Sequence, residues 1–417
     1  MANVDKMELT GAQVEPAACP FNASAIHDSV KWIDLLKPTN ETDEVTRLRF
    51  LGVPDAEEKK IKIASYNVLA TSYHLRKDDD PKFDFAKKYT RDDDLRMYFV
   101  MEKIVAIDAD IVLLQEVEGE GPLLGLVADR GYVTYYVPRP TAPVNSILEK
   151  GGSSWANKAK DEEREVGIAI LVKKQRLIAG WNMVRQLAVD LNAIQAPHTK
   201  SDSSPAKTGS TFSYKDLNNV AQLMYLDIGK GRLLAIANIH AHWNDKLADI
   251  KKQQMIKTNQ ELVRIGSALA SLQDTGIAKF SATPSAYQNN TPTRVYYFFG
   301  GDFNCPREEV MLDLGSSYER YDMRENGVQF AEIRGKVSSG GNPATHLSPD
   351  YSNTIDHIFY RQNFAETRWS GVMEPCTCAL RVLRIPRSDE GLAGEKYLPR
   401  YNEPSDHFPV GAEFVLY

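Results

Sequence analysis

The chain has 417 residues, an apolar fraction of 42% and a formal net charge of −6, which is ample for a buried core and too acidic for a protein that coats nucleic acid by neutralising many phosphates. Four cysteines, Cys19, Cys305, Cys376 and Cys378, are too few and too unevenly spaced for a disulfide framework, and we read them as reduced thiols. No basic segment followed by an apolar run opens the chain and no stretch approaches the roughly 20 apolar residues of a membrane span, so the expectation is a soluble protein of the cytoplasm or nucleus.

Residues 1 to 59 alternate little and predict a partly flexible lead-in with one short helix over Ala25 to Leu36. From Ile61 the run Ile-Lys-Ile-Ala-Ser-Tyr alternates like a half-buried strand, and the main domain is placed at residues 60 to 417. A helix follows over Asp93 to Ile107, then the apolar run Ile111 to Leu114, suited to a strand buried on both faces. Val166 to Lys173, Leu223 to Asp227, Leu233 to Asn238, Tyr296 to Phe299 and Thr354 to Tyr360 read as strands, Leu247 to Leu272 as a helix, and Val410 to Leu416 as a closing strand. Three polar stretches, Ala196 to Ser213, Ser281 to Thr293 and Lys336 to Asn353, read as long loops of a substrate-facing rim. The spacing of elements fits a large mixed α/β fold.

Five short motifs end these runs in polar groups: Ser65-Tyr66-Asn67, Gln115-Glu116, Asn238-Ile239-His240, Gly301-Asp302-Phe303-Asn304 and Ser405-Asp406-His407. Glu116, with the amide oxygen of Asn67, suits a hard cation such as Mg²⁺, which takes oxygen ligands and only one or two carboxylates. Asp302 and Asn304 flank Phe303, and in an extended segment they face one side. There Asp302 can take a proton from water while Asn304 donates to a phosphoryl oxygen. By themselves the same residues read equally as an Asx turn. His407 can donate to developing phosphoryl charge, with Asp356 orienting its ring and Asp406 free to serve a second metal position. His240 and His242 form an HxH pair that alone suggests zinc; without a third nitrogen or sulfur ligand, His240 reads better as a phosphate contact. Together the parts describe metal-assisted attack of water on a phosphoester. Neither a P-loop nor a dinucleotide glycine fingerprint is present.

This set resembles the endonuclease/exonuclease/phosphatase superfamily, and most closely its CCR4-type branch of deadenylases, nocturnin, Angel proteins and the 2′,5′-phosphodiesterase. The likeness runs from about Ile61 to Tyr417 through Tyr66-Asn67-Val68-Leu69, Ala109 to Glu118, Asn238 to Trp243, Gly301 to Asn304, Ile355 to Tyr360 and Ser405-Asp406-His407. It implies a DNase I-like four-layer α/β sandwich in which two packed mixed sheets are flanked by helices. It also implies one or two Mg²⁺ ions, replaceable by Mn²⁺, held by Asn67 and Glu116, with Asp406 near a second position. By the same resemblance Asp302 activates water, Asn304 and His240 contact the scissile phosphate, and His407 with Asp356 stabilises the transition state.

Substrate contacts then fall to His240, Asn304, Trp243 and Tyr351, whose ring offers a face for a base. Asp245 stands where deadenylases carry a proline of the adenine clamp, and residues 1 to 59 show no leucine-rich repeat through which to dock. The expected activity is a Mg²⁺-dependent 3′-exoribonuclease on single-stranded RNA, with poly(A) as the substrate. The alternatives are a phosphodiesterase or phosphatase on a small nucleotide, a DNA repair endonuclease, or a degenerate member that only binds, which would have lost an active-site group.

Overall fold

Alternation along the strands builds the architecture, because each face of a strand meets a different layer. The computed structural model describes residues 23–34, 60–71, 93–139, 165–191, 219–243, 247–274, 294–306, 328–332, 346–347, 352–366, 373–375, 377–383, 398–399 and 403–416. In chain order these form α1 (Ala23–Ser29), β1 (Trp32–Asp34), β2 (Lys60–Asn67), α2 (Asp93–Ile107), β3 (Ile111–Glu118), α3 (Leu123–Asp129), β4 (Tyr132–Pro138), β5 (Val166–Lys173) and α4 (Lys174–Ile178). They continue with β6 (Asn182–Asp190), β7 (Val220–Asp227), β8 (Arg232–His240), α5 (Ala248–Asp274), β9 (Arg294–Asp302) and β10 (Val328–Glu332). The last are β11 (His346–Leu347), β12 (Ser352–Asn353), β13 (Asp356–Glu366), β14 (Met373–Pro375), β15 (Thr377–Leu383) and β16 (Val410–Leu416).

Two sheets result. The first has the order β1-β15-β16-β2-β3-β5-β4, and the second β10-β13-β9-β8-β7-β6 with β14 on β13. Each contains one parallel pair, β2 with β3 and β8 with β9, among antiparallel neighbours. Ile61, Ile63, Ile111, Leu113, Ile170 and Val172 turn inward from the first sheet and meet Met224, Leu226, Leu234, Ile236, Tyr296 and Phe298 from the second. The residues between them point outward. Tyr66, Val112, Leu114 and Leu171 pack under Met97, Val100, Met101 and Ile104 of α2 and Leu123 and Val127 of α3. On the other side Tyr225, Ala235, Ile239, Tyr297 and Phe299 lie under Met255, Leu262, Ile265 and Leu269 of α5. Positions 97, 100, 101 and 104 lie on one helical face, as do 255, 262, 265 and 269, so burying one stripe of each helix closes each outer layer. Each fully buried side chain of this kind contributes about 1.5–3 kcal/mol. The layer order, helices, sheet, sheet, helices, is the four-layer α/β sandwich expected.

The amino-terminal helix is shorter than the expected 25–36 span. It stops at Ser29, whose Oγ bonds back to Ile26 O at 2.7 Å, and the chain then extends as β1. β1 adds an edge strand to β15, with Trp32 opposite Leu383, and the Trp32 indole donates to Ile107 O at 3.3 Å. A free sheet edge thus captures Trp32, Ile33 and Asp34, which sequence periodicity alone assigns to a helix. Ile26 is fully buried beside Phe99. Of the three expected loops, residues 196–213 and 281–293 lie outside the described residues. The third, 336–353, holds β11 and β12. Cys305 is buried and forms no disulfide among the described residues, whereas Cys19 and Cys376 lie outside them. Among the described residues no helix is long and apolar enough to cross a membrane.

Candidate active site

Strand direction gathers the motifs. β2 and β3 run parallel and end together, with Asn67 level with Gln115, while β8 and β9 end together, with His240 level with Asp302. β13 runs against β9 and begins where β9 ends, so Asp356 lies opposite Asp302. β16 runs against β2, with Val410 opposite Ser65, which brings His407 to the same end. Residues separated by up to 340 positions therefore share one site.

A buried polar bridge joins the two sheets directly beneath it. Gln115 Nε2 donates to Asn238 Oδ1 at 2.7 Å and to Ser65 Oγ at 3.1 Å, and Asn238 Nδ2 donates to Leu114 O and Ala169 O, both at 3.0 Å. All three side chains are fully buried. The bonds across the sheets satisfy groups that would otherwise be costly in the core.

Three non-glycine residues at the rim adopt left-handed backbone: Leu69 (φ 56°), Glu116 (φ 57°) and Asn304 (φ 50°). Such conformations cost of order 1–3 kcal/mol each and cluster at functional sites. At Glu116 the cause is a bulge in β3 between Gln115 and Val117. Regular alternation would send Glu116 outward with Val112 and Leu114; the bulge re-aims it. Its Oε2 accepts from Ala70 N at 3.1 Å and its Oε1 from Asn67 Nδ2 at 3.1 Å.

Asp302 is 1% exposed. Its Oδ2 accepts from Asn67 Nδ2 at 3.0 Å and its Oδ1 from Asn304 N at 2.8 Å. Burial first, then the Asp356 carboxylate, push its pKa up to about 7, against the opposing pull of His407, Asn67 and the Asn304 amide. The bond from the Asn304 amide closes the Asx turn that this motif also predicts. β9 ends at Asp302, so strand alternation does not carry through to Asn304. The Asn304 Nδ2 donates to Ala241 O at 2.9 Å, and Phe303 is buried edge-on against Phe299 and Phe359. An amide nitrogen carries two hydrogens, and this bond uses one.

Asp356 Oδ2 and His407 Nδ1 are 2.8 Å apart, as expected of an orienting pair. Burial alone would lower the His407 pKa, but Asp356, Asp302 and Asp406 together push it up to about 10. His240 is the opposite case. Burial first, then the Arg139 guanidinium, hold it well below the usual histidine range. Arg139 Nη2 faces His240 Nδ1 and can only donate, so the neutral ring carries its proton on Nε2. That nitrogen lies 3.6 Å from Asp302 Oδ2 and 3.8 Å from Glu116 Oε1, aimed at the centre of the site.

His242 stands apart. Burial, Lys251 and Arg139 lower it to about 4, and it belongs to neither of the metal-competent groups among the described residues, Asp302–Asp356–His407 and His346–Asp406–His407. Trp243 is 72% exposed beside it. Tyr351 and Asp245 lie outside the described residues.

Four carboxylates, Glu116, Asp302, Asp356 and Asp406, ring this end of the sheets. The Asp356 carboxylate raises the affinity of Asp302 for a proton, a repulsion that a divalent cation relieves. The donor set fits a hard cation at Glu116, with the Asn67 amide beside it. Asn67 turns its amide nitrogen toward both carboxylates, while its Oδ1 accepts from Leu69 N at 3.0 Å. Offering the oxygen to an ion requires the amide to rotate.

Several positioning groups escape a sequence reading. Arg139 sits in a Pro-Arg-Pro run with no periodicity, and His346 lies in a polar stretch read as loop, yet its ring centroid is 4.7 Å from that of His407. Arg96, fully buried on α2, donates to Val68 O at 2.9 Å, Leu69 O at 2.6 Å and Pro404 O at 3.4 Å. It ties the segment after Asn67 to the one before His407.

The Endonuclease/Exonuclease/phosphatase family pattern matches residues 64–407. The CCR4-Not complex 3′-5′-exoribonuclease subunit Ccr4 of Mycosarcoma maydis is 24% identical over 390 residues, covering 86% of this chain and 51% of the relative. CCR4-NOT transcription complex subunit 6-like-B of Xenopus laevis is 25% identical over 383 residues, covering 85% and 64%. The chain thus spans about half to two thirds of the length of these relatives. Among solved structures, the human nocturnin catalytic domain superposes with a TM-score of 0.53 at 18% identity over 94% of this chain and 98% of its own. ANGEL2, described as a 2′,3′-cyclic phosphatase, gives 0.53 at 16% over 93% and 97%. With its sheets, its site geometry and a family match over most of its length, the chain belongs to the endonuclease/exonuclease/phosphatase family of hydrolytic enzymes, on its CCR4-type branch.

Proposed function

We propose that the chain is a Mg²⁺-dependent 3′-exoribonuclease that removes 5′-nucleotides from single-stranded RNA, with poly(A) as its preferred substrate. The observation that carries this reading is the convergence of Asp302, His240 and the Asp356–His407 pair around Glu116. The names of the sequence relatives, which include a 3′-5′-exoribonuclease, support the choice of RNA.

In this reading Glu116 would hold the ion together with Asn67 once its amide has rotated to offer Oδ1, and Asp406 would serve a second position. A bound divalent ion supplies Lewis-acid polarisation of the phosphoryl oxygens. Asp302, poised near neutrality, accepts a proton from the attacking water through its carboxylate. His240 Nε2–H and the amide of Asn304 donate to non-bridging oxygens of the scissile phosphate. His407, protonated and fixed by Asp356, donates to the charge that grows in the transition state. Trp243 and Tyr351 offer rings on which a base stacks.

The test is a gel time course with Mg²⁺ on 5′-labelled RNA ending in oligo(A), beside the same body ending in oligo(U). Shortening of the A-tailed RNA alone supports the proposal in full. Equal shortening leaves a general 3′-exonuclease, and no shortening of either refutes the RNA reading in favour of a small phosphorylated nucleotide.

A further inference from the structure

His407 has a second polar neighbourhood besides Asp356. Its Nε2 lies 3.9 Å from Asp406 Oδ1, and His346 Nε2 lies 3.5 Å from Asp406 Oδ2. Backbone pairing builds this arrangement. His346 and His407 form an antiparallel bridge, and His346 also pairs with Asn353, just before the strand that starts at Asp356. His346 is thereby tied to both ends of the Asp356–His407 pair, with its side chain 13% exposed. One donor atom from each of His346, Asp406 and His407 lies within 4.8 Å of the others.

The chemistry of this trio differs from that of the Glu116 side. Oxygen ligands dominate there, whereas here two imidazole nitrogens join one carboxylate, a set that suits zinc, nickel or copper better than magnesium. Zinc bonds to such ligands are about 2.0–2.2 Å long, which places neighbouring donors of a tetrahedral site roughly 3.3 Å apart. The spacings of 3.5 and 3.9 Å, one to each oxygen of Asp406, are within about 0.6 Å of that value, and the two histidine nitrogens lie within 4.8 Å of each other. Three protein ligands leave a fourth position for water.

We propose that His346, Asp406 and His407 form a transition-metal site that prefers zinc to magnesium, and that zinc bound there inhibits the enzyme by occupying Nε2 of His407. In that step the Nε2 lone pair forms the bond to zinc and the displaced proton passes to solvent. No electron is transferred. The inhibitory part rests on the role given to His407 above; the metal site does not.

Two readouts separate these parts. In the first, the full chain stripped of metal is titrated with Co²⁺ in excess Mg²⁺, and the visible absorption of four-coordinate cobalt is followed. Wild type is expected to saturate near one equivalent and to lose the band when Zn²⁺ is added. His346→Gln and, independently, Asp406→Asn are expected to bind Co²⁺ at least about tenfold more weakly. No band in wild type, or an unchanged band in both variants, overturns the site whatever the substrate proves to be. In the second, zinc inhibition of turnover is measured for wild type and His346→Gln, each normalised to its own zinc-free rate. The half-inhibitory concentration is expected to rise at least about tenfold in the variant. Equal sensitivity overturns inhibition through this site. Using two variants on different segments keeps the test decisive if one of them folds poorly.

Discussion

Gly300 and Gly301 are adjacent, yet replacing each by alanine should have very different results. Gly301 has φ +143°, and a Cβ built on it meets Ile239 O at 2.0 Å, backbone that β8 and β9 hold in register. Gly300 has no such φ, and its Cβ would meet the tip of Leu113 at 2.8 Å, a side chain able to shift. Strained backbone at Gly301 costs about 1–3 kcal/mol and forcing apart packed backbone a similar amount, so Gly301→Ala should lose roughly 2–6 kcal/mol of stability. Gly300→Ala should lose about 1–2 kcal/mol. A typical domain has only about 5–15 kcal/mol to lose. Because Ile239 and Gly301 immediately precede the paired His240 and Asp302, relieving the clash moves both groups, and in the proposed mechanism a misplacement near 1 Å costs about 100-fold in rate. The assay is urea denaturation with turnover measured on the folded fraction. Gly301→Ala with a midpoint and rate matching Gly300→Ala would refute the reasoning.

Asp302→Asn keeps the size of the side chain but removes the proton acceptor, so kcat should fall about 10²- to 10⁴-fold with the fold intact by circular dichroism; near-normal turnover would sink the assigned base. Glu116→Ala should abolish the magnesium dependence of activity, read as loss of response to a Mg²⁺ titration; a variant still activated by Mg²⁺ would remove Glu116 from the ion site. Trp243→Ala, at a 72% exposed position, should leave stability within about 0.5 kcal/mol. It should weaken RNA binding by about 1–3 kcal/mol if the ring stacks on a base, which a KM comparison detects.

Where apolar residues recur with the period of one element or fill an unbroken run, the fold is legible in the sequence. The helix Asp93–Ile107 and the strands Val166–Lys173 and Val410–Leu416 have the bounds that periodicity predicts. β4 and β6 have half-exposed patterns without a clean apolar run and give no strand signal, and β1 reads as helix because its pairing partner lies some 350 residues away. The motif around Ile355-Asp356 and the family resemblance point to Asp356 as the orienter of His407, and the fold sets its Oδ2 2.8 Å from Nδ1 of that ring.

Residue type and local order determined which groups this chain can bring to chemistry: carboxylates, amides and histidines placed at strand ends, where a side chain leaves the core. Only the tertiary structure decided how they act. A bulge turns Glu116 toward the site, the Leu69 amide claims the Asn67 oxygen, Arg139 selects the tautomer of His240, and a bridge to His407 recruits His346 from a segment that reads as loop. Each of these depends on contacts between segments far apart in the chain, and such contacts leave no periodic trace in the residues that make them.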